Sequence, residues 1–247
     1  SKGVFIKKTL LFPRSKRKYT AICEGDDYWC DENKLQKQVD FLESHEGYAA
    51  CVHNTRLLDC RTGGSWPMYK GEQDRDLTFK EVVNYSAACF HTSSILCRRE
   101  WFCIPDELRA NGFGDYPRAV YMRLNGKIHY LKDIMSVYRM FTAGSWTARN
   151  QNNASKQQRI CSQKARTDFT KKLRRYCREQ GVAPEYQKAV NDVANRDQLQ
   201  LAVLQKGGRC LLHGPQLGIF MGLSLEKKIH VLDTVRTEFK TERNEKR

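Results

Sequence analysis

Between residues 19 and 139, short β-prone apolar runs alternate with stretches of helical period; beyond residue 155 only the helical period continues. Such alternation requires a sheet with helices packed on it, so all-α and all-β architectures are excluded for the first part. Tyr19-Thr20-Ala21-Ile22-Cys23 reads as a short buried strand. A helix is expected over 33–44, with Leu35, Val39 and Leu42 on one face and Asp31 placed to cap its start. One or two strands are expected over 48–58, a loop over 61–76, a short helix over 79–85 and a buried strand over 93–97. Asp115 opens a helix to residue 125, with Pro117 in its first turn and Gly126 just past its end. Strands follow over 128–131 and 134–139, then helices over 155–179, 184–205 and roughly 222–240. The division expected is an α/β region over 1–146 and a helical C-terminal extension over 147–247.

The formal charge of +15 invites a nucleic-acid reading, but its distribution argues against one. Residues 1–20 carry +7, residues 21–146 carry −3 and residues 147–247 carry +11. The excess flanks the α/β region, and no zinc-finger spacing, RNP-like stretch or basic-region heptad accompanies it, so no nucleic-acid partner is expected. No run approaches the ~18–20 apolar residues of a membrane span. Thr9-Leu10-Leu11-Phe12 is too short for a signal-peptide core. The ten cysteines include no C-x-x-C pair and read as free thiols of a cytoplasmic protein.

The strongest chemical signal is Glu24-Gly25-Asp26-Asp27, which ends the first strand abruptly. Ligands of open α/β sheets sit beyond the carboxyl ends of strands. Clustered carboxylates there suit Mg²⁺ or Mn²⁺, which take one or two carboxylates plus substrate phosphates. Gly25 lets the turn approach a ligand closely. An acidic turn leading into a helix is the ordinary alternative.

The longer run Lys18-Tyr19-Thr20-Ala21-Ile22-Cys23-Glu24-Gly25-Asp26-Asp27-Tyr28-Trp29, continued by Asn33-Lys34-Leu35-Gln36-Lys37-Gln38-Val39-Asp40-Phe41-Leu42, closely resembles family-2 glycosyltransferases. Bacterial members often read "KYIA-EGDDYWTDPNKLQKQVDFLE". His53-Asn54, Ser93 to Arg99, Gly114-Asp115-Tyr116-Pro117, Ser136-Val137-Tyr138-Arg139 and Gly144-Ser145-Trp146 are similar to later segments in the same order. The likeness covers about residues 18–146.

The resemblance implies a GT-A-like (Rossmann-like) mixed α/β sheet. It also implies transfer of a sugar from a nucleotide-sugar donor to a hydroxyl of a glycan or lipid-linked acceptor, with inversion and a divalent metal. Asp26 and Glu24 match the family's acid-x-Asp motif: Asp26 for the cation, Glu24 for metal or nucleotide. Asp27 would fix the turn or touch the donor, and Arg139 would serve its diphosphate. Asp115 matches the catalytic base that takes the acceptor proton; by its position alone it is equally a helix-start acid favoured by the dipole. Trp29, His91, Ser93 and Ser94 are candidate sugar or acceptor contacts, and each is equally a core or loop residue.

Two departures accompany the likeness. Nothing resembling the family's opening "VSVIIPTYN" strand precedes Tyr19, so the sheet is expected to be N-terminally incomplete by roughly 60–100 residues. Phe141 stands where the family usually carries a histidine, and it can neither ligate a metal nor donate a hydrogen bond. An inactive remnant or binding module on the same scaffold is the alternative. Lys171-Lys172-Leu173-Arg174-Arg175 reads first as a solvated helix face, and second as a contact for a membrane surface or lipid-diphosphate acceptor at the inner face of a membrane.

Overall fold

A computed structural model describes residues 16–71, 73–110, 114–145, 148 and 155–245. Trp146 and the basic positions before Lys16 lie outside the described residues. The chain divides into two units: one runs to Pro105 and resumes over Asp115–Gln151, and the other comprises Asp106–Gly114 and the chain from Asn152 onward.

The first unit is a mixed α/β layer. Among the described residues its seven strands are β1 (Tyr19–Ala21), β2 (Tyr28–Trp29), β3 (Tyr48–Asp59), β4 (Ser65–Pro67), β5 (Arg75–Leu77), β6 (Leu96–Arg98) and β7 (Lys127–Met140). They pair in the order β1-β6-β3-β7-β2, with β4 added to β3 and β5 to β7. The β3–β7 pair is parallel and the others are antiparallel. Ala49, Ala50, Cys51 and Val52 are all buried, as a central parallel strand covered on both faces requires. The helices are α1 (Lys34–Ser44), α2 (Phe79–Cys89) and α3 (Asp115–Asn125).

Several expectations change. The segment 127–140 is one strand, not two. It reads as two because Lys132 and Asp133 interrupt its alternation; in the sheet they bulge out, since His53 pairs with Leu131 and Asn54 with Ile134. The 61–76 stretch contains β4 and β5 rather than loop alone. The strand expected over 93–97 is a 3₁₀ turn, Thr92–Ser94, followed by β6, because the His91 side chain accepts the Ser93 N–H and caps the turn. Asp31 does not cap α1: Asn33 holds that position, and Asp31 Oδ1 accepts the Asn33 N–H at 2.8 Å. The apolar face of α1 is also rotated from the expected one. Lys34, Gln38 and Leu42 are buried, while Leu35 is 39% exposed.

The second unit is helical: α4 (Lys156–Glu179), α5 (Pro184–Lys206), α6 (Gly214–Gly222) and α7 (Leu225–Glu245). A capping box between Ser155 and Gln158 starts α4. α4 and α5 run antiparallel, tied where Asp197 accepts Arg166 Nε at 3.1 Å and where Arg174 donates to Asn195 at 2.6 Å. α6 was not expected, since its three glycines and Pro215 mask its period. Among the described residues no helix is long and apolar enough to cross a membrane. All ten cysteines are free.

Candidate active site

Glu24-Gly25-Asp26-Asp27 leaves the end of β1 as a turn closed by the Asp27 N–H on the Glu24 carbonyl at 3.0 Å. The turn then enters β2, which pairs with the far part of β7. That pairing carries Arg139 to the turn. Its backbone N–H donates to Asp27 Oδ1 at 3.1 Å, and its guanidinium Nε donates to the Asp26 carbonyl. Asp27 thus ties the turn to β7 through its Oδ1. Its side chain is fully buried, and its Oδ2 has no hydrogen-bond partner. Burial pushes the Asp27 carboxyl up to about 6, against the Arg139 backbone hydrogen bond, and the charges of Asp26 and Glu24 add to the rise.

His91 faces Asp27, its Nδ1 lying 3.8 Å from Asp27 Oδ2. Burial lowers His91 to about 4, although Glu24 and Asp26 pull the other way. The imidazole is thus neutral near pH 7, and the approach is not an ion pair. Its Nδ1 also lies 2.8 Å from Ser93 Oγ, and its ring stacks on Tyr138 with centroids 4.3 Å apart. Ser93 Oγ donates to Ser136 Oγ at 2.9 Å, which in turn lies 3.0 Å from Thr55 Oγ1. A polar chain thus runs from the 3₁₀ turn across β7 to β3.

Trp29 donates its indole N–H to the Ser93 carbonyl at 3.0 Å and holds the Lys34 ammonium 4.4 Å from its ring centroid. Lys34 is buried; desolvation lowers it to about 8, and its Nζ donates to Gln38 Oε1 at 2.8 Å. Gln38 spends its amide protons on the carbonyls of Cys51 and Ser94, at 2.6 and 2.8 Å. Ser94 is buried, and its hydroxyl donates to the His91 carbonyl.

The fold therefore brings together Glu24, Asp26, Asp27, Trp29, His91, Ser93, Ser94 and Arg139. Asp115 lies at the first position of α3, with a carboxylate 66% exposed and 3.6 Å from Arg118 Nη1. Among the described residues no hydrogen bond or ion pair joins it to the turn. Gly126, the one-residue link from α3 into β7, sits at the opposite end of that helix. Phe141 ends β7 in the left-handed region at φ 64°, beneath the Arg61 guanidinium at 3.5 Å. Lys34, Gln38, Thr55, Ser136 and Tyr138 were not expected at the site. The only signal for Lys34 and Gln38 is their i, i+4 spacing with Leu42, three positions that share one helix face.

Among the described residues no group of three or more His, Cys, Asp or Glu is arranged to enclose a metal. The turn instead offers oxygen donors alone, on an open surface where a Cβ at Gly25 would meet nothing within 4 Å. Such a donor set suits a hard divalent cation whose remaining ligands come from a phosphate-bearing molecule.

No family model matches the chain. It is 31% identical over 147 residues to the uncharacterized proteins Rv1520 of Mycobacterium tuberculosis (strain H37Rv) and Mb1547 of Mycobacterium bovis. The alignment covers 58% of this chain and 41% of each relative, so the chain spans less than half the length of the curated relatives it matches. Among solved structures it is similar to S. aureus TarS 1-349 in complex with UDP-GlcNAc, at TM-score 0.48 and 14% identity over 92% of this chain and 58% of that one. TarS 1-349 without that ligand gives TM-score 0.44 and 12% identity.

Proposed function

We propose that the first unit is the catalytic region of a glycosyltransferase, moving a sugar from a nucleotide-sugar donor to a hydroxyl acceptor with inversion. The observation that carries this reading is the Glu24-Gly25-Asp26-Asp27 turn at a strand end, clamped by Arg139 and backed by His91 and Trp29. The ordered likeness of residues 18–146 to family-2 glycosyltransferases supports the same reading.

Asp26, with Glu24 beside it, would hold a Mg²⁺ or Mn²⁺ ion, which when bound neutralises the leaving nucleoside diphosphate. Asp27 is spent inside the protein: its Oδ1 is occupied by the Arg139 amide, so it shapes the turn. Arg139 presents a positive charge beside the same turn, suited to a diphosphate. Asp115, exposed and beside Arg118, would accept a proton from an acceptor hydroxyl as that oxygen attacks the anomeric carbon. His91, neutral and capping the 3₁₀ turn, together with Ser93 and Ser94, forms the wall beneath the donor sugar rather than a proton relay.

A second reading, a non-catalytic binding module on this scaffold, has one observation in its favour. Phe141 supplies no ligand where β7 ends, and its ring is already engaged by Arg61. Titration calorimetry of a nucleoside diphosphate with Mn²⁺ tests the central claim. Asp26→Ala should weaken metal-dependent binding about tenfold or more; unchanged affinity would remove the metal role from this turn. Binding that depends on Asp26 without any sugar transfer would favour the second reading.

A further inference from the structure

Ten large apolar side chains are exposed among the described residues, and seven of them lie between Leu212 and Phe239. Leu225, Ile229, Leu232 and Phe239 share one face of α7 at i, i+4, i+7 and i+14. Leu217 and Met221 are exposed one turn apart on α6, immediately before it. Phe239 is 73% exposed and Leu225 75%. The inward face of α7 holds Val231 but also Lys227 and Glu238, both buried, and Glu238 meets Arg159 at 2.8 Å and Lys156 at 3.8 Å. α7 thus turns ionic groups inward and its large apolar groups outward, the reverse of a solvated surface helix.

The charges among those outward groups have one sign. Lys228 and Arg236 share the face of Leu225, Ile229, Leu232 and Phe239 at helical spacing. Glu226 and Asp233 fall to one side of the stripe, and Glu226 lies 3.9 Å from Lys227. Neither Lys228 nor Arg236 has an acidic partner among the described residues. A second copy seated on the same face would set Lys228 and Arg236 against like charges. An anionic lipid surface instead complements the cations and takes up the apolar side chains.

We propose that this face of α7 seats on the surface of an anionic bilayer. The apolar side chains enter the boundary between headgroups and acyl chains, and Lys228 and Arg236 reach the phosphates. The helix lies in the interface and does not span it, since no described helix is long and apolar enough to cross. This inference rests on the second unit alone, so it and the sugar-transfer reading fail separately.

Cosedimentation of the whole chain with vesicles tests it, comparing phosphatidylcholine with phosphatidylcholine containing about one-third phosphatidylglycerol. The chain should pellet with the anionic vesicles, and high salt should weaken binding about tenfold. Combining Ile229→Gln, Leu232→Gln and Phe239→Gln should lower the partition coefficient about tenfold or more. Because all three side chains are exposed, the melting temperature should stay within a few degrees. Arg236→Glu should weaken binding and flatten its salt dependence. Failure of the parent chain to pellet with anionic vesicles overturns the proposal. Self-association in sedimentation equilibrium that the triple variant abolishes, with vesicle binding unchanged, also overturns it and gives the face to a second copy.

Discussion

Asp27 Oδ2 stands 3.8 Å from His91 Nδ1, yet burial drives both groups toward their neutral forms, so two residues of opposite potential charge meet without forming an ion pair. The carboxyl, raised to about 6, and the imidazole, lowered to about 4, give the site an unusual acid response.

In an unfolded chain Asp27 ionises near 3.8, against about 6 in the fold, so the folded state holds the extra proton between these values and loses stability as pH rises through 6. His91 and His53 act oppositely. Their folded values, about 4 and about 3, lie below the unfolded 6.5, so their contribution is complete above pH 6.5 and is lost on acidification. Between pH 4 and 6 these three groups leave a net loss of about 1.4 kcal/mol per pH unit on acidification. Asp27→Asn removes the opposing contribution. Its slope in that window should be steeper by about 1.4 kcal/mol per unit, and above pH 6 it should be more stable than the parent by about 2–3 kcal/mol. Urea midpoints at stepped pH measure this, and identical slopes in the two proteins would refute it.

Gln38 joins α1 to β3 and to the 3₁₀ turn under the site. Gln38→Leu removes the side-chain hydrogen bonds to the Cys51 and Ser94 carbonyls and to the Lys34 ammonium, and should cost on the order of 3 kcal/mol in denaturant unfolding. Lys34→Met loses one hydrogen bond but removes a buried charge whose pKa burial has lowered to about 8, so at pH 7 it should be close to neutral or stabilising. A larger loss from Lys34→Met than from Gln38→Leu would invert this assignment.

Two glycines should respond oppositely to alanine. At Gly126 a Cβ would lie 2.8 Å from the Ala49 nitrogen and 2.9 Å from the Gly47 carbonyl oxygen, backbone atoms that cannot swing aside. Gly126→Ala should destabilise by about 2–4 kcal/mol in thermal or chemical unfolding. Gly25→Ala meets nothing within 4 Å and should leave stability within about 0.5 kcal/mol. Any effect of Gly25→Ala should appear in ligand affinity, measured by calorimetry.

Asp115→Asn should lower the rate of sugar transfer by about 10²–10⁴ while leaving the melting temperature almost unmoved, because the side chain is 66% exposed. Transfer assays and thermal scans on the same preparation separate the two effects. A variant that keeps its rate removes Asp115 from proton transfer.

Local punctuation explains what the sequence made legible. α3 begins at Asp115 and ends at Asn125 as expected, because a proline in the first turn and a glycine beyond the end act within a few residues. The long-range features were not readable. The bulge at Lys132 and Asp133 exists only in the pairing of β7 with β3, and the sequence shows it merely as an interruption. The burial of Lys34 and Gln38 on α1 is not legible locally because the carbonyls that Gln38 satisfies belong to distant segments. The gathering of Glu24, Asp26 and Asp27 with His91 and Ser93 was implied by a family likeness rather than by spacing, and what positions them comes from β2, β6 and β7.

The parallel pairing of β3 with β7 has a consequence for how the protein is made. Tyr48 meets Lys127 and Asp59 meets Met140, so the central seam of the sheet joins segments far apart in the chain. Pairings of this kind form slowly, since a long loop must close before any contact rewards it. During synthesis the β1 end, the acidic turn and α1 emerge well before the strand that carries Arg139. Until β7 docks, Asp27 has no amide to bind and the carboxylates of the turn repel one another in water. The acidic turn is therefore translated well before β7 and acquires its shape only once β7 docks.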